Sequence, residues 1–199
     1  MEYRNARLED IAAVNELQKR YHVSTVSEQD KKDGFVTTLF TNEQFAEIIT
    51  KENGLSLACE GGKVIAYAMA ASWEFWSQWP MFQFMIGDLP NVSYKGVQLT
   101  QENSFQYGPV CIEKAYRGTG VVCNLFESSR RTMCKRFPIL VTFINQANPR
   151  SFAAHTQKVG FEVIKPFDYN SNHYYELAYD MNVPCKHATI LANSSDAEL

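Results

Sequence analysis

The segment that most constrains the fold of this chain is a pair of glycines between an apolar, strand-like run and an amphipathic helix pattern. The run covers residues 104–112, the glycines are Gly118 and Gly120, and the helix pattern covers 120–137. Glycine adopts backbone conformations that other residues avoid, so the chain can turn sharply here. A strand joined to a helix by such a turn is typical of folds that layer helices on a sheet. The sequence therefore predicts a mixed α/β fold.

The same turn is a candidate anion site. Arg117-Gly118-Thr119-Gly120 precedes a helix whose first N–H groups have no partner within the helix and form its partly positive end. Glycines let the backbone approach a phosphate closely, and Arg117 adds a positive charge. The alternative is a tight strand-to-helix turn without a ligand. The segment is neither a Walker loop, because it lacks G-K-[ST], nor a dinucleotide fingerprint.

Hydrophobic periodicity and turn residues predict the order of the remaining elements. Strands are predicted at 3–6, 55–59, 63–72, 104–112, 139–144, 161–164 and 173–180, and helices at 7–21, 41–53, 120–137 and 148–159. Between the third and fourth strands, residues 73–85 form a helical excursion rich in aromatic side chains. Gly108-Pro109 lies inside the fourth strand, where a proline indicates a bulge or an edge.

Composition bounds the domain count and the classes of partner. A chain of 199 residues suits a single domain, which we place at 1–180, followed by a loosely held C-terminal tail at 181–199. The net charge of −3 lacks the basic excess of nucleic-acid-binding proteins, and no apolar run is long enough to span a membrane. Five cysteines without C-x-x-C spacing argue against a zinc site and a disulfide framework. We therefore expect a cytoplasmic protein without a metal.

The glycine turn and two further segments together carry a family resemblance. Y-R-G-T-G at 116–120, N-P-R-S-x-x-A-H at 148–155 and K-V-G-F-E at 158–162 together resemble the GNAT superfamily of N-acetyltransferases. The resemblance covers residues 1–180 in element order. It implies one α/β (α+β) domain with a mostly antiparallel central sheet of about seven strands and about four flanking helices. It also implies a V-shaped splay between the fourth and fifth strands.

Acetyl-CoA is the co-substrate that this resemblance implies, and it would enter the splay. By similarity, the backbone of Cys111 and Ile112 would pair with the pantetheine arm, while Asn148 and Ser151 would reach the cofactor from the next helix. Arg117 would flank the pyrophosphate. The backbone amides that would hold the pyrophosphate belong to Gly118, Thr119, Gly120, Val121 and Val122.

The sequence departs from the family pattern at two places. Val122 is larger than the small residue usual at the last position of the loop. The spacing from Asn148 to Gly160 is one residue longer than usual. The family's tyrosine position therefore falls on His155 when counted from Asn148, and on Thr156 when counted back from Gly160.

The chemistry implied is acetyl transfer from a thioester to an amine, which needs a proton acceptor for the amine and benefits from a proton donor for the thiolate. His155 is the candidate donor, with a structural helix residue as the alternative. The candidate bases are Glu102, just before the fourth strand, and Glu74, placed among tryptophans where burial would favour its protonated form, with an ordered water as the alternative to a carboxylate.

Several functional questions stay open at this level. The aromatic excursion at 73–85 is either core, a homodimer face or the wall of an apolar acceptor pocket. The leading hypothesis is an N-acetyltransferase that acts on a primary amine of a small molecule or peptide. The alternatives are a non-catalytic acyl-CoA-binding or regulatory module and, with the same loop, a nucleotide-binding protein.

Overall fold

The computed structural model describes residues 1–31 and 34–190. Seven strands form one sheet in the order β1-β2-β3-β6-β7-β9-β8, and β4 and β5 form a separate two-stranded ribbon. Neighbouring strands of the large sheet are antiparallel except for the parallel pair β6 and β7. The strands are β1 (Glu2–Asn5), β2 (Leu55–Glu60), β3 (Lys63–Ala71), β4 (Ser93–Tyr94), β5 (Val97–Gln98), β6 (Ser104–Ile112), β7 (Ile139–Asn145), β8 (Glu162–Tyr169) and β9 (Asn172–Asp180).

Seven α-helical segments accompany these strands in the described residues. They are α1 (Ile11–Arg20), α2 (Glu28–Lys31), α3 (Asn42–Glu47), α4 (Trp73–Trp76), α5 (Pro80–Asp88), α6 (Val121–Met133) and α7 (Pro149–Ala153). Short 3-10 turns occur at Leu8–Asp10, Leu89–Asn91 and Lys114–Tyr116, and π turns extend α3 through Ile48–Glu52 and α7 through Ala154–Val159. Thr41 caps α3, with its side chain accepting a hydrogen bond from the N–H of Gln44.

The predicted α/β architecture is confirmed, including the mostly antiparallel sheet of seven strands. Four helical segments, α1, α3, α6 and α7, correspond to the four predicted helices, and α4 and α5 form the predicted excursion. The sequence did not predict α2 or the β4–β5 ribbon. Both are too short to show a hydrophobic period.

Helices cover both faces of the sheet. On one face, α6 packs its apolar side on the sheet through Leu125, Phe126 and Met133, all of them buried. On the other face, α1 and α3 pack on β2 and β3 through Val14, Leu17 and other apolar side chains. The central sheet therefore has a hydrophobic core on each side.

The aromatic excursion covers the remaining part of that second face. Trp73 and Trp76 are fully buried, and Trp73 donates a hydrogen bond from Nε1 to Ser104 Oγ at 2.9 Å. Met85 and Leu89 pack together with Val141 of β7. These contacts make the excursion part of the intramolecular core.

The segment after β9 is packed rather than loose over its described residues. Met181 and Cys185 are fully buried against the core that α6 forms with the sheet. Arg130 of α6 donates a hydrogen bond to the carbonyl of Met181 at 2.6 Å. The expectation of a loosely held tail is therefore wrong for 181–190, because long-range contacts with α6 hold it. Residues 191–199 lie outside the described part of the chain, and the domain boundary at 180 stays a prediction.

The splay lies between β6 and β7, the fourth and fifth strands of the predicted order. The two strands pair only from Ser104 with Ile139 to Gln106 with Val141, and then diverge. At this point Thr142 Oγ1 donates a hydrogen bond to the carbonyl of Tyr107 at 2.7 Å. The predicted V-shaped opening is confirmed.

A bulge in β6 lies just beyond Gln106, the last residue of β6 that pairs with β7. Ala68 of β3 pairs with Val110, and Ala70 pairs with Tyr107, so two residues of β6 oppose one residue of β3. The two are Gly108 and Pro109, which are joined by a cis peptide bond. The bulge predicted from the glycine and proline is confirmed.

Candidate functional site

A cavity of about 160 Å³ occupies the open end of the splay. Its walls come from β6, from the glycine turn before α6, from the helix after Asn148, and from the end of α1 with the segment that follows it. The lining residues are Tyr21, Gly34, Phe35, Val36, Val110, Cys111, Ile112, Tyr116, Arg117, Gly118, Val122, Asn148, Arg150, Ser151, Ala154 and His155. A larger hollow of about 360 Å³ between α1 and the β2–β3 turn contains none of the predicted site residues.

The glycine turn presents free backbone donors next to this cavity. Gly118 and Gly120 have φ of +83° and +88°, the left-handed region in which side chains with a Cβ are strained. Across residues 1–31 and 34–190, none of the five N–H groups from Gly118 to Val122 donates a hydrogen bond to another protein group. Five free amides at the start of α6 make this turn suited to a phosphate.

Val122, the first departure from the family pattern, fits the turn. Its side chain is half-buried, contacts the core beneath α6 and lines the cavity. Its N–H is one of the five free donors, because a backbone donor does not depend on the size of the side chain.

Arg117 ties the turn to the rest of the fold. Its Nε donates a hydrogen bond to the carbonyl of Ile112 at 2.8 Å, and its guanidinium carbon lies 4.8 Å from the centre of the Tyr21 ring. The hydroxyl of Tyr21 in turn accepts a hydrogen bond from the N–H of Lys114 at 2.7 Å. Arg117 therefore braces the loop in addition to placing positive charge beside it. The sequence did not identify Tyr21 as a site residue, because it reads as the last apolar position of α1.

The free edge of β6 is set by the register with β3. The N–H of Glu113 bonds to the carbonyl of Ile65 at 2.9 Å, and Cys111 pairs with β3 two residues earlier. Because antiparallel pairs alternate, the backbone of Cys111 also bonds to β3, while Val110 and Ile112 direct their backbone groups away from it. Val110 and Ile112 therefore have the backbone groups that face the splay, whereas the backbone of Cys111, expected to pair with pantetheine, is bonded to β3. Burial raises the pKa of the Cys111 thiol to about 12, which keeps it protonated.

Asn148 and Ser151 lie together on the opposite wall. The side-chain oxygen of Asn148 caps α7 by accepting the N–H of Ser151 at 3.1 Å. The amide nitrogen of the same side chain donates to no protein group in the described residues. Both residues line the cavity, and their predicted contact with the cofactor stays a prediction.

His155 lines the cavity as a buried, neutral imidazole. Its Nδ1 lies 2.8 Å from the carbonyl of Ser151, so Nδ1 carries the proton and Nε2 is an acceptor. Burial lowers the pKa of His155, against a smaller opposite effect of this hydrogen bond. A neutral imidazole with its one proton committed is not a proton donor at Nε2, so the structure does not favour the predicted acid role.

Thr156, the alternative to His155, faces elsewhere. Its Oγ1 donates a hydrogen bond to the carbonyl of Phe152 at 2.8 Å, and it does not line the cavity. The π turn Ala154–Val159 explains the ambiguity, because a π turn takes up one residue more than an α turn. The extra residue between Asn148 and Gly160 is absorbed there, and counting from Asn148 identifies the residue that faces the cavity.

The two candidate bases lie away from the cavity. Glu102 is exposed in the turn before β6, eight residues before Val110, which corresponds to about 25 Å along a strand. Glu74 is exposed on α4, so the burial on which its candidacy rested is absent. Neither lines the cavity. The sequence placed Glu102 just before the fourth strand and Glu74 at the end of the third. It could not tell which end or face of the sheet holds the site.

No helix within residues 1–31 and 34–190 is long and apolar enough to cross a membrane. In the same part of the chain, no three side chains of His, Cys, Asp or Glu are grouped as metal ligands.

Neither a protein-family profile nor a curated protein matches this chain in sequence. Solved structures match it in fold. A candidate acetyltransferase from Salmonella typhimurium, solved with its cofactor acetyl-CoA, has 15% identity and a TM-score of 0.61, with 91% of this chain and 94% of that chain covered.

Two further structures give the same result. An N-acetyltransferase from Staphylococcus aureus has 18% identity and a TM-score of 0.58 over 90% of this chain and 98% of that chain. An acetyltransferase of the GNAT family from Streptococcus pneumoniae has 17% identity and a TM-score of 0.59 over 90% and 98%. The resemblance seen in the sequence is confirmed for the architecture: this chain has the GNAT fold.

Proposed function

We propose that this protein is an N-acetyltransferase that binds acetyl-CoA in the splay and transfers the acetyl group to a primary amine of a small molecule or peptide. The observation that carries this proposal is the row of five free N–H groups from Gly118 to Val122, next to the unpaired edge of β6. The Salmonella protein that shares this fold was solved with its cofactor acetyl-CoA, which supports the same ligand here.

The chain offers donors and acceptors for the pyrophosphate and the pantetheine arm of that ligand. The five amides of the glycine turn would hold the pyrophosphate, with Arg117 beside them. The outward-facing backbone groups of Val110 and the N–H of Ile112 would pair with the amides of the pantetheine arm, as a strand pairs with a sheet edge. The free amide nitrogen of Asn148 would donate to the same ligand from the opposite wall.

Acetyl-CoA supplies the thioester, and the acceptor amine attacks its carbonyl carbon. A C–N bond forms, the C–S bond breaks, and the electron pair leaves with the CoA thiolate. The amine must lose one proton on the way. His155 lines the cavity with Nε2 as a hydrogen-bond acceptor, which would be available to orient an amine N–H. Since no carboxylate lines the cavity in the described residues, we assign the proton to water.

Among the described residues, the lack of a carboxylate in the cavity lining favours a second candidate function, an acyl-CoA-binding or regulatory module without catalysis. Such a module would keep the cradle for CoA and have no means of activating an amine. The two functions predict the same ligand and differ in turnover.

One experiment separates them. Millimolar acetyl-CoA, if present at about 100 times its dissociation constant, should stabilise the fold by about 2.7 kcal/mol. For a chain of this size the melting temperature should rise by about 5–10 °C. Release of CoA thiol is then measured over a panel of polyamines, amino acids, aromatic amines and peptide N-termini. Binding with release identifies the enzyme, binding without release identifies the module, and no thermal shift contradicts both.

A further inference from the structure

A continuous strip of seven aromatic side chains lies on the face of the sheet opposite α6. The centres of neighbouring rings are 5.2–6.2 Å apart, which is typical of aromatic pairs. Six of these side chains are half-buried, and the seventh, Phe84, is 43% exposed. In the order of their contacts, the residues of this aromatic strip are Trp79, Phe82, Phe143, Tyr174, Phe167, Phe84 and Tyr169.

The core does not account for the whole of the aromatic excursion. Trp73 and Trp76 are fully buried, whereas Trp79, Phe82 and Phe84 keep part of their rings in solvent. A contiguous row of partly exposed rings on a protein surface is typical of a place where a ligand or partner binds. The exposed side of the excursion is therefore a candidate binding surface.

The middle of the aromatic strip borders the splay. Phe143 lies on β7, two residues beyond Val141, the last residue of β7 that pairs with β6. Within residues 1–31 and 34–190, no strand pairs with this edge of β7 from Thr142 onward. The ring of Phe143 contacts Phe82 on one side and Tyr174 on the other. A ligand on the strip at Phe143 would therefore lie next to the splay, on the face opposite α6.

A hydrogen-bond acceptor without a partner lies on the same face, where β6 and β7 separate. Nε2 of Gln106 donates to the carbonyl of Tyr107 at 2.7 Å, the same carbonyl that accepts the hydroxyl of Thr142. Oε1 of Gln106 accepts no hydrogen bond from any described group, although the residue is only 3% exposed. A buried acceptor without a donor is costly, so a ligand N–H at this point would be favourable.

The spacing of the two features sets the size of the ligand. Gln106 is the register partner of Val141, so its side chain lies on the same face as Phe143 and about 7 Å from it along the strand direction. A ring and an amine nitrogen separated by two or three carbon atoms cover about that distance.

We propose that the acceptor is a primary amine joined to an aromatic ring by a short alkyl chain. Its ring packs on the aromatic strip at Phe143, and one amine N–H donates to Oε1 of Gln106. The lone pair of the neutral amine then stays available for the thioester carbonyl. This inference rests on the proposed function and names the class of amine.

The first test compares three amines on the unmutated full chain. Binding of phenethylamine, cyclohexylethylamine and butylamine is titrated by ligand-observed NMR without acetyl-CoA, so that no turnover occurs. Phenethylamine should bind about threefold to tenfold more tightly than cyclohexylethylamine, which has a similar size without a π system. It should bind at least about tenfold more tightly than butylamine, which lacks the ring.

Substitutions locate the site. Phe143→Leu should weaken phenethylamine binding by about threefold to tenfold. Phe152→Leu is the matched control, because Phe152 is also half-buried and packs on a tyrosine of β9, Tyr175 at 4.8 Å, but on the α6 face of the sheet. Gln106→Met should weaken binding by about fivefold to tenfold, and the carbonyl of Tyr107 keeps its bond from Thr142 in this variant.

The outcomes separate this inference from the proposed function. Equal binding of the three amines, or equal effects of Phe143→Leu and Phe152→Leu, would overturn it. Release of CoA with butylamine or peptide N-termini but not with phenethylamine would overturn it while the acetyltransferase stands. Tight binding of phenethylamine without CoA release would support the amine site and contradict the enzyme. Association of two chains that Phe84→Ser abolishes would show that a second copy covers the strip, and would also overturn the proposal.

Discussion

The guanidinium of Arg117 lies over the ring of Tyr21, 4.8 Å from its centre, and this contact joins the glycine turn to the end of α1. The same guanidinium bonds to the carbonyl of Ile112. A planar group makes both contacts at once, whereas an ammonium makes only one of them.

We therefore expect Arg117→Lys to be less stable than the wild type and to bind CoA more weakly, although it keeps the charge. The loss of the ring contact and the bond to Ile112 should lower stability by about 1–2 kcal/mol, or about 3–6 °C in melting temperature. CoA affinity should fall by about tenfold through a loosened loop. Melting curves and calorimetric titration with CoA check both values. Equal affinity and stability in Arg117→Lys would show that only the charge matters.

Gly120→Asp should remove CoA binding, because it places a carboxylate where the five amides would bind the pyrophosphate. Gly120 has φ of +88° with no atom near an added Cβ, so the cost to the fold is backbone strain alone, about 1–2 kcal/mol. Gly120→Asn is the matched control, because it carries the same strain without the charge. The prediction is wrong if the two variants bind CoA equally, as judged by thermal shift with the ligand.

His155→Asn should separate a structural role from an acid role. The asparagine amide can still donate to the carbonyl of Ser151, so the helix should form and turnover should fall by less than tenfold. A loss of a hundredfold or more, with CoA affinity unchanged, would instead restore His155 as a general acid. The measurement is turnover on the first amine that releases CoA.

The pH dependence of His155 has a definite sign. Burial lowers its pKa in the folded state, so the unfolded chain binds a proton first as the pH falls below about 6.5. Wild-type protein should therefore lose stability relative to His155→Asn from pH 7 downward, by at most about 1.4 kcal/mol per pH unit. Urea midpoints of both proteins between pH 5 and 8 test this. Parallel curves would contradict the buried neutral imidazole.

The effect of Glu176 on stability should depend on pH with the opposite sign. This carboxyl is buried on β9, with Lys165 at 3.7 Å, and Lys165 also binds Asp88 at the end of α5. Burial raises the pKa of Glu176 to about 7, above the 4.5 of the unfolded chain. Its contribution to the free energy of unfolding is therefore complete below about pH 4.5 and is lost as the pH rises to about 7.

Glu176→Gln, which stays neutral, should gain stability relative to the wild type between pH 5 and 8. The gain should reach about 2–3 kcal/mol. Glu162→Gln, at an exposed carboxylate whose pKa is lowered by the hydroxyl of Tyr94, is the control and should show no such gain. Unfolding midpoints across this pH range decide between the two outcomes.

Local signals explain what the sequence could predict. Gly118 and Gly120 determine a turn through their own backbone freedom, and Gly108-Pro109 determines a bulge in the same way. The apolar period of α6 requires only neighbours along one helix. Such features depend on a few consecutive residues, so the element order and the position of the glycine turn could be predicted without a structure.

Long-range placement explains what the sequence could not predict. Tyr21 joins the site because α1 ends beside Lys114, ninety-three positions later in the chain. Glu74 and Glu102 do not line the cavity, because they lie exposed on α4 and in the turn before β6. The packing of 181–190 depends on Asn124, Glu127 and two arginines on α6, which bind backbone groups and leave no period in the segment itself.

The π turn at Ala154–Val159 divides one continuous helical segment into two halves, and the side-chain directions of one half do not depend on those of the other. The half that follows Asn148 keeps its residues turned toward the splay, and the half that precedes Gly160 keeps Val159 turned toward the core. A single-residue insertion in such a segment changes neither half. Comparisons with other chains of this fold should therefore be aligned separately from the two ends of this helix, because an alignment carried through it from one end is displaced by one residue at the other.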